Sequence, residues 1–300
     1  MNKAKFTAVF LLCVFGIARG DSVYRNAGTS AWPFLRVDIS AKAAALGGTS
    51  LLNPGSMALF SNPALLPDQG ASISASHSSW FGNTNQEALA SVVPWGRFGT
   101  SLAFRFISTS GLEYRETPSS EPTGTFDVTD ISLGAGAGLR LSPGFSLGAG
   151  ITYIREKVWL EESSGLSFDF GLASFPLPGL TLAAAAQNIG PGVTMVTREY
   201  RLPRSLRAGL GYEAPLPLGR ASISYEIHKP LDNRPVHGLG LEYMPLSWAA
   251  LRGGWRVNDP SSGLTAGMGL SQGGWILDYA YVPGKHALGE THRFTLTRTL

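Results

Sequence analysis

A two-residue rhythm governs this chain from Gly70 to its end, with apolar side chains on one parity and small or polar ones on the other. Such a rhythm specifies strands with one apolar and one polar face. Ala221, Ile223, Tyr225 and Ile227 alternate with Ser222, Ser224, Glu226 and His228. Ile131, Leu133, Ala135, Ala137 and Leu139 alternate with Ser132, Gly134, Gly136, Gly138 and Arg140. Fourteen such segments fall at about 71–79, 86–93, 98–109, 126–141, 145–156, 165–175, 179–188, 204–214, 219–228, 236–244, 248–257, 263–271, 274–282 and 290–300. The two segments just quoted in full are long enough to cross a bilayer, whereas no run beyond the first twenty residues has the length of a spanning helix without charges or helix breakers. A closed barrel is the other structure that satisfies every backbone group in lipid, and the count is even, as in single-chain bacterial barrels.

The connections sort by parity. Those after even-numbered segments are tight, as in Pro94-Trp95-Gly96-Arg97, Ser142-Pro143-Gly144, Pro176-Leu177-Pro178 and Gln272-Gly273. Those after odd-numbered segments are mostly longer, notably 110–125, 157–164, 189–203 and 283–289. Periplasmic turns and longer outer loops have this arrangement, which a soluble sandwich has no reason to adopt. Charges give a further test, because one at the lipid-facing midplane costs about 2–4 kcal/mol. Arg105, Arg140, Asp169, Arg207, Glu213, Glu226, Glu242, Arg252, Arg256, Asp278 and Arg293 all fall on the inward parity. Arg298 does not, and it lies near the chain end, where a long side chain reaches the headgroups. Trp80, Phe98, Phe145, Tyr153, Tyr212, Tyr243, Trp255 and Tyr281 lie near segment ends, the expected place for interfacial belts.

The N-terminus reads as a secretory leader over residues 1–20: Lys3 and Lys5 precede an apolar run from Phe6 to Ile17, and Ala18 and Gly20 form a small-residue cleavage site. Removal of the leader takes away Cys13, so disulfides and thiol chemistry are excluded from the remainder. It also takes Lys3, Lys5 and Arg19 from 24 basic residues, leaving 21 against 21 acidic ones. A neutral protein gives no electrostatic argument for nucleic acid as a partner.

Between leader and strands, residues 21–69 contain two capped turns. Ser40 precedes "AKAAALGG", which ends at Gly47-Gly48, and Asn62-Pro63-Ala64 opens a second turn in "MALFSNPALLP", with Asn62 as cap and Pro63 at the first helical position. The segment is too apolar to hang in solvent and too short for its own domain. It is expected to plug the barrel formed by 70–300, and a hydrophobic-solute path would be supported by an apolar pocket between Phe34, Leu35, Met57, Leu59, Phe60 and the inner wall.

The stretch from Gly28 to Pro67, "GTSAWPFLRVDISAKAAALGGTSLLNPGSMALFSNPALLP", resembles the N-terminal block of the PorV/PorQ family, relatives of the FadL-type long-chain fatty-acid transporters. "AQNIGPG" (186–192), "LPRSLRAGLGYEA" (202–214), "LEYMPLSWAALRGGWR" (241–256), "LDYAYVP" (277–283) and "LGETHRFTLTRTL" (288–300) agree in order and spacing. The resemblance implies an all-β, fourteen-stranded antiparallel transmembrane barrel in the outer membrane. It makes Gly47, Gly48, Asn62, Pro63 and Ala64 the structural motif of a hatch. It further implies a role in type IX secretion, with outer-membrane lipid and secretion components or secreted cargo as partners. The alternative is FadL-like passive passage of hydrophobic small molecules. The chain departs from cargo-handling members in its rather short loops.

No catalysis, cofactor or metal is expected. "GFSLG" at Gly144–Gly148 fits the G-x-S-x-G pattern, but Ser146 sits in an alternating strand with no helix after it, the context a nucleophile elbow needs. The histidines 77, 228, 237, 286 and 292 lack ligand spacing, although His228 and His237 flank one loop and could meet there.

Overall fold

A computed structural model describes residues 27–118 and 120–300. The expected leader and the first six residues of the expected hatch lie outside the described residues. The sixteen strands are β1 (Ser72–Trp80), β2 (Thr84–Trp95), β3 (Phe98–Tyr114), β4 (Gly124–Ser142), β5 (Phe145–Val158), β6 (Glu161–Leu177), β7 (Leu180–Ile189), β8 (Val193–Met195), β9 (Arg198–Tyr200), β10 (Ser205–Pro215), β11 (Arg220–Pro230), β12 (Val236–Leu246), β13 (Ala249–Val257), β14 (Leu264–Gln272), β15 (Trp275–Pro283) and β16 (Glu290–Thr299). Fourteen of them form one closed antiparallel barrel in chain order, with β7 next to β10. The seam closes where β16 pairs with β1 from Ser72↔Thr299 to Ser79↔His292. Strands β8 and β9 make a separate hairpin within the loop between β7 and β10.

The alternation decides which side chains face the membrane. On β3, Leu102 is 67% exposed and its neighbour Ala103 6%. Leu133, Phe170, Ile223, Leu241 and Leu251 likewise project outward, so the outer wall is an apolar band of the kind lipid requires. No helix among the described residues is long and apolar enough to cross a membrane. The spanning elements are the strands.

Three of the expected loops are partly strand. β3 and β4 continue past a bulge near Ser110 to pair Leu112 with Phe126 and Tyr114 with Gly124. β5 and β6 continue until only Trp159 and Leu160 join them. Tyr114 packs on Trp159 with ring centroids 4.8 Å apart, which ties the two extensions together. Above the membrane neither face must be apolar, so the alternation that marks the other strands fades there. The expected loop 189–203 contains the β8–β9 hairpin for the same reason.

Most of the expected inward charges are where the barrel places them. Arg105, Asp169, Arg207, Glu226, Glu242, Asp278 and Arg293 are buried inward, and Arg298 stays outside, over the Trp275 ring at 5.3 Å. Glu87, however, faces outward three residues into β2, where it meets His77 at 2.6 Å near the long-loop rim. Trp80 leaves the expected belt: it turns inward beneath the Arg293 guanidinium, 4.3 Å from its ring centre.

Candidate functional site

Residues 27–69 fill the lumen as four short turns: Pro33–Arg36, helix α1 (Ala41–Ala45), Gly55–Phe60 and Pro63–Asp68. The caps act as the sequence implies. The Ser40 hydroxyl accepts from Ala43 N at 3.4 Å, and the Asn62 side-chain oxygen accepts from Ala64 N at 3.1 Å. Asn62 also donates to Leu172 O of β6 at 3.2 Å, so one side chain both starts a turn and fastens it to the wall. The turn at Pro33–Arg36 was not among the expected ones, although Pro33 at its first position is a helix-start signal.

Glycines of the wall set how closely the plug can approach. A Cβ added at Gly148 would lie 2.3 Å from Pro63 C, one at Gly171 2.0 Å from the Asn62 side-chain oxygen, and one at Gly138 2.5 Å from Pro63 O. Only bare backbone on β4, β5 and β6 leaves room for Asn62-Pro63-Ala64. The second glycine of "GFSLG" is therefore part of the plug's seat, and Ser146 beside it lies inside strand β5 with no helix following. On the opposite side Gly47, at φ +68°, presses its backbone onto β12 and β13, and its N–H donates to Thr265 Oγ1 at 3.1 Å. Gly48 N donates to Ala43 O at 2.9 Å and closes helix α1.

Polar groups fasten the plug elsewhere. Asp38 receives Arg256 at 2.6 Å, and Arg293 donates to the Asp38 carbonyl at 2.8 Å. Burial would raise the Asp38 carboxyl, but the guanidiniums of Arg256, Arg207 and Arg293 outweigh it and hold its pKa below the ordinary value. Arg207 donates to Glu226 at 2.6 Å and to Ser50 Oγ at 2.7 Å, while Leu51 N donates to the other Glu226 oxygen at 3.0 Å. Arg252 joins Glu242 and Asp278, each at 2.6 Å, and Lys42 of the plug reaches Glu242 at 3.3 Å. Arg140 at the short-turn rim pairs with Asp68. Sequence reasoning found the inward charges but not these plug partners, because parity shows which way a side chain points and not what it meets.

The expected apolar residues divide. Phe34 packs with Trp32, Ile107, Ile154, Val193 and Leu202 under the long-loop side. Met57, Leu59 and Phe60 pack with Ile39, Ala88, Ala90 and Ala103. Between the two clusters lies a gap of about 20 Å³ that mixes Leu35, Met57 and Phe60 with Asp38, Arg207 and His228. Larger cavities flank the plug. One of about 460 Å³ opens beside Ser30, Arg36, Tyr200, Arg204 and Asp232 on the long-loop side, and one of about 350 Å³ opens beside Lys42, Ser56, Ser72 and Glu242 on the short-turn side. His228 and His237 do not meet. His228 lines the inner gap, and His237 faces outward to share a 2.8 Å hydrogen bond with Tyr225.

Fold and lumen together define a class: a fourteen-stranded antiparallel transmembrane barrel whose lumen is filled by its own N-terminal segment. The chain is similar to the Ralstonia pickettii toluene transporter TbuX, at 15% identity and a TM-score of 0.63 over 89% of this chain and 100% of that one. It is similar to the Pseudomonas putida toluene transporter TodX, at 12% identity and a TM-score of 0.65 over 89% and 99%. A Pseudomonas aeruginosa FadL homologue matches at 14% identity and a TM-score of 0.55 over 88% and 99%. These likenesses extend to the fold. No protein-family model and no curated protein matches the chain.

Proposed function

We propose that this chain is a gated, non-enzymatic passage for small hydrophobic molecules in the outer membrane of a Gram-negative-type bacterium. The observation that carries the reading is the shared architecture: a plug folded back through a fourteen-stranded barrel, matched over nearly the whole length of proteins described as toluene and monoaromatic hydrocarbon channels. In this reading the solute collects at the long-loop cavity and passes Leu35, Met57 and Phe60 once the plug shifts. It gains about 25 cal/mol for each Å² of apolar surface that leaves water. The ion pairs around Asp38, Arg207 and Arg252 hold the closed state between passages.

A secretion-linked role is the second reading. The motif resemblance to PorV/PorQ supports it. The short outer connections weigh against it, since a cargo protein would need a surface there. Purification from detergent-solubilised outer membranes separates the two. A co-purifying hydrophobic small molecule supports passage, whereas a stoichiometric protein partner with no such molecule supports secretion.

A further inference from the structure

We propose that the seam between β1 and β16 is a second, hydrophilic path, a hydroxyl-lined lane for water and small anions that the plug closes from one side. This inference does not rest on hydrophobic passage. Every inward residue of β1 before Trp80 is a serine: Ser72, Ser74, Ser76 and Ser78, all buried. The inward residues opposite on β16 are Thr297, Thr295, Arg293 and Thr291. No apolar side chain interrupts this wall from Ser72 to Ser78, a distance of about 20 Å at 3.3 Å per residue.

Both ends of the lane fit a path. Its lower end opens into the 350 Å³ cavity, which Ser56, Ser72, Thr297 and Thr299 help to line. At its upper end Ser78 Oγ, both amide atoms of Gln86, Trp80 Nε1 and Arg293 Nε have no hydrogen-bond partner among the described residues. Ser78 and Gln86 are cross-strand neighbours, 1% and 2% exposed, so their polar groups converge where water is kept out. Buried polar groups left without partners destabilise a closed arrangement and favour one that admits water or a solute.

The plug is held differently on this side. Against β4–β6 and β12–β13 its backbone meets wall glycines where an added Cβ would clash. Against β1 and β16 it is held by hydroxyls and by the Arg293 bond to the Asp38 carbonyl: Ser76 donates to Ile39 O at 2.7 Å, Thr295 accepts from Ala41 N at 3.0 Å, and Ser56 and Ser72 meet at 2.8 Å. Water replaces such bonds with little loss, so a small displacement of the plug opens the seam first. Arg293 is the charged side chain of the lane and sits in no ion pair with a described residue, which sets the preference for anions.

The 2.8 Å meeting of Ser56 and Ser72 provides a staple, S56C with S72C, in a chain with no other cysteine among its described residues. The purified protein is reconstituted in a planar bilayer with potassium chloride. The expected result is a chloride-selective conductance in wild type and in the reduced double variant, lost on oxidation and restored by dithiothreitol. Arg293→Gln should lose the chloride preference. Because oxidised and reduced states are compared on one folded sample, failure of a variant to fold does not enter. Equal conductance in both states, or no conductance in wild type, overturns the proposal.

Discussion

Replacing Asn62 by alanine should release the plug without dismantling the barrel. Asn62 is fully buried and makes two bonds, accepting from Ala64 N at 3.1 Å and donating to Leu172 O at 3.2 Å. Loss of an N-cap costs about 0.5–2 kcal/mol. Leaving a buried donor unmade costs about 1–3 kcal/mol, part of which is the same loss counted from the other side. We take about 2–3 kcal/mol for Asn62→Ala, which at 1.4 kcal/mol per decade raises the undocked population about 30- to 150-fold. Limited proteolysis in detergent micelles reads that population: cleavage within residues 27–69 should accelerate by a comparable factor, while the folded barrel keeps its heat-modifiable gel mobility. Unchanged cleavage would refute the anchoring role. Loss of the folded barrel would show instead that the segment belongs to the folding core.

Breaking the buried Arg207–Glu226 pair by Arg207→Met should lower stability by about 3–5 kcal/mol, whereas Arg207→Met with Glu226→Met should recover much of it. The thermal transition of gel mobility measures both. Phe170→Arg, on the lipid face near the middle of β6, should cost about 2–4 kcal/mol in urea unfolding from vesicles, and Leu264→Arg, at the loop end of β14, about 0–1 kcal/mol. Asp38 has a folded-state pKa below its free value, so its contribution is fully present above about pH 3.9 and is lost as pH falls through the lowered value. Proteolysis of the plug by an acid-active protease should therefore rise only in that acidic window, and Asp38→Asn should remove the transition.

The barrel was legible because lipid imposes one rule on every strand. A side chain on the wrong parity, as Phe170 would be if it faced the lumen, exchanges membrane contact for the plug. The pattern therefore persists wherever the wall is in the bilayer, and it fails above the bulge at Ser110 and around Trp159, where water lies on both faces. Asn62 and Ser40 were legible as caps because capping is local chemistry. Their wall partners were not: Leu172 is 110 positions from Asn62, and nothing in the alternation of β6 marks Gly171 as the glycine that faces it. The pairing of Asp38 with Arg256 was hidden for the same reason, at a separation of 218 positions. The serine row of β1 lay open in "SISASHSSW", yet alternation alone makes it simply the inward face of a strand.

If the plug controls passage of a hydrophobic solute, the rate of toluene uptake by whole cells must depend on it. Three strains are compared: wild type, a deletion, and the deletion carrying the stapled S56C with S72C chain. Uptake in wild type should exceed that of the deletion, with the oxidised staple falling to the deletion level and dithiothreitol restoring the wild-type rate. Equal uptake in wild type and deletion, for toluene and for a long-chain fatty acid alike, would contradict it.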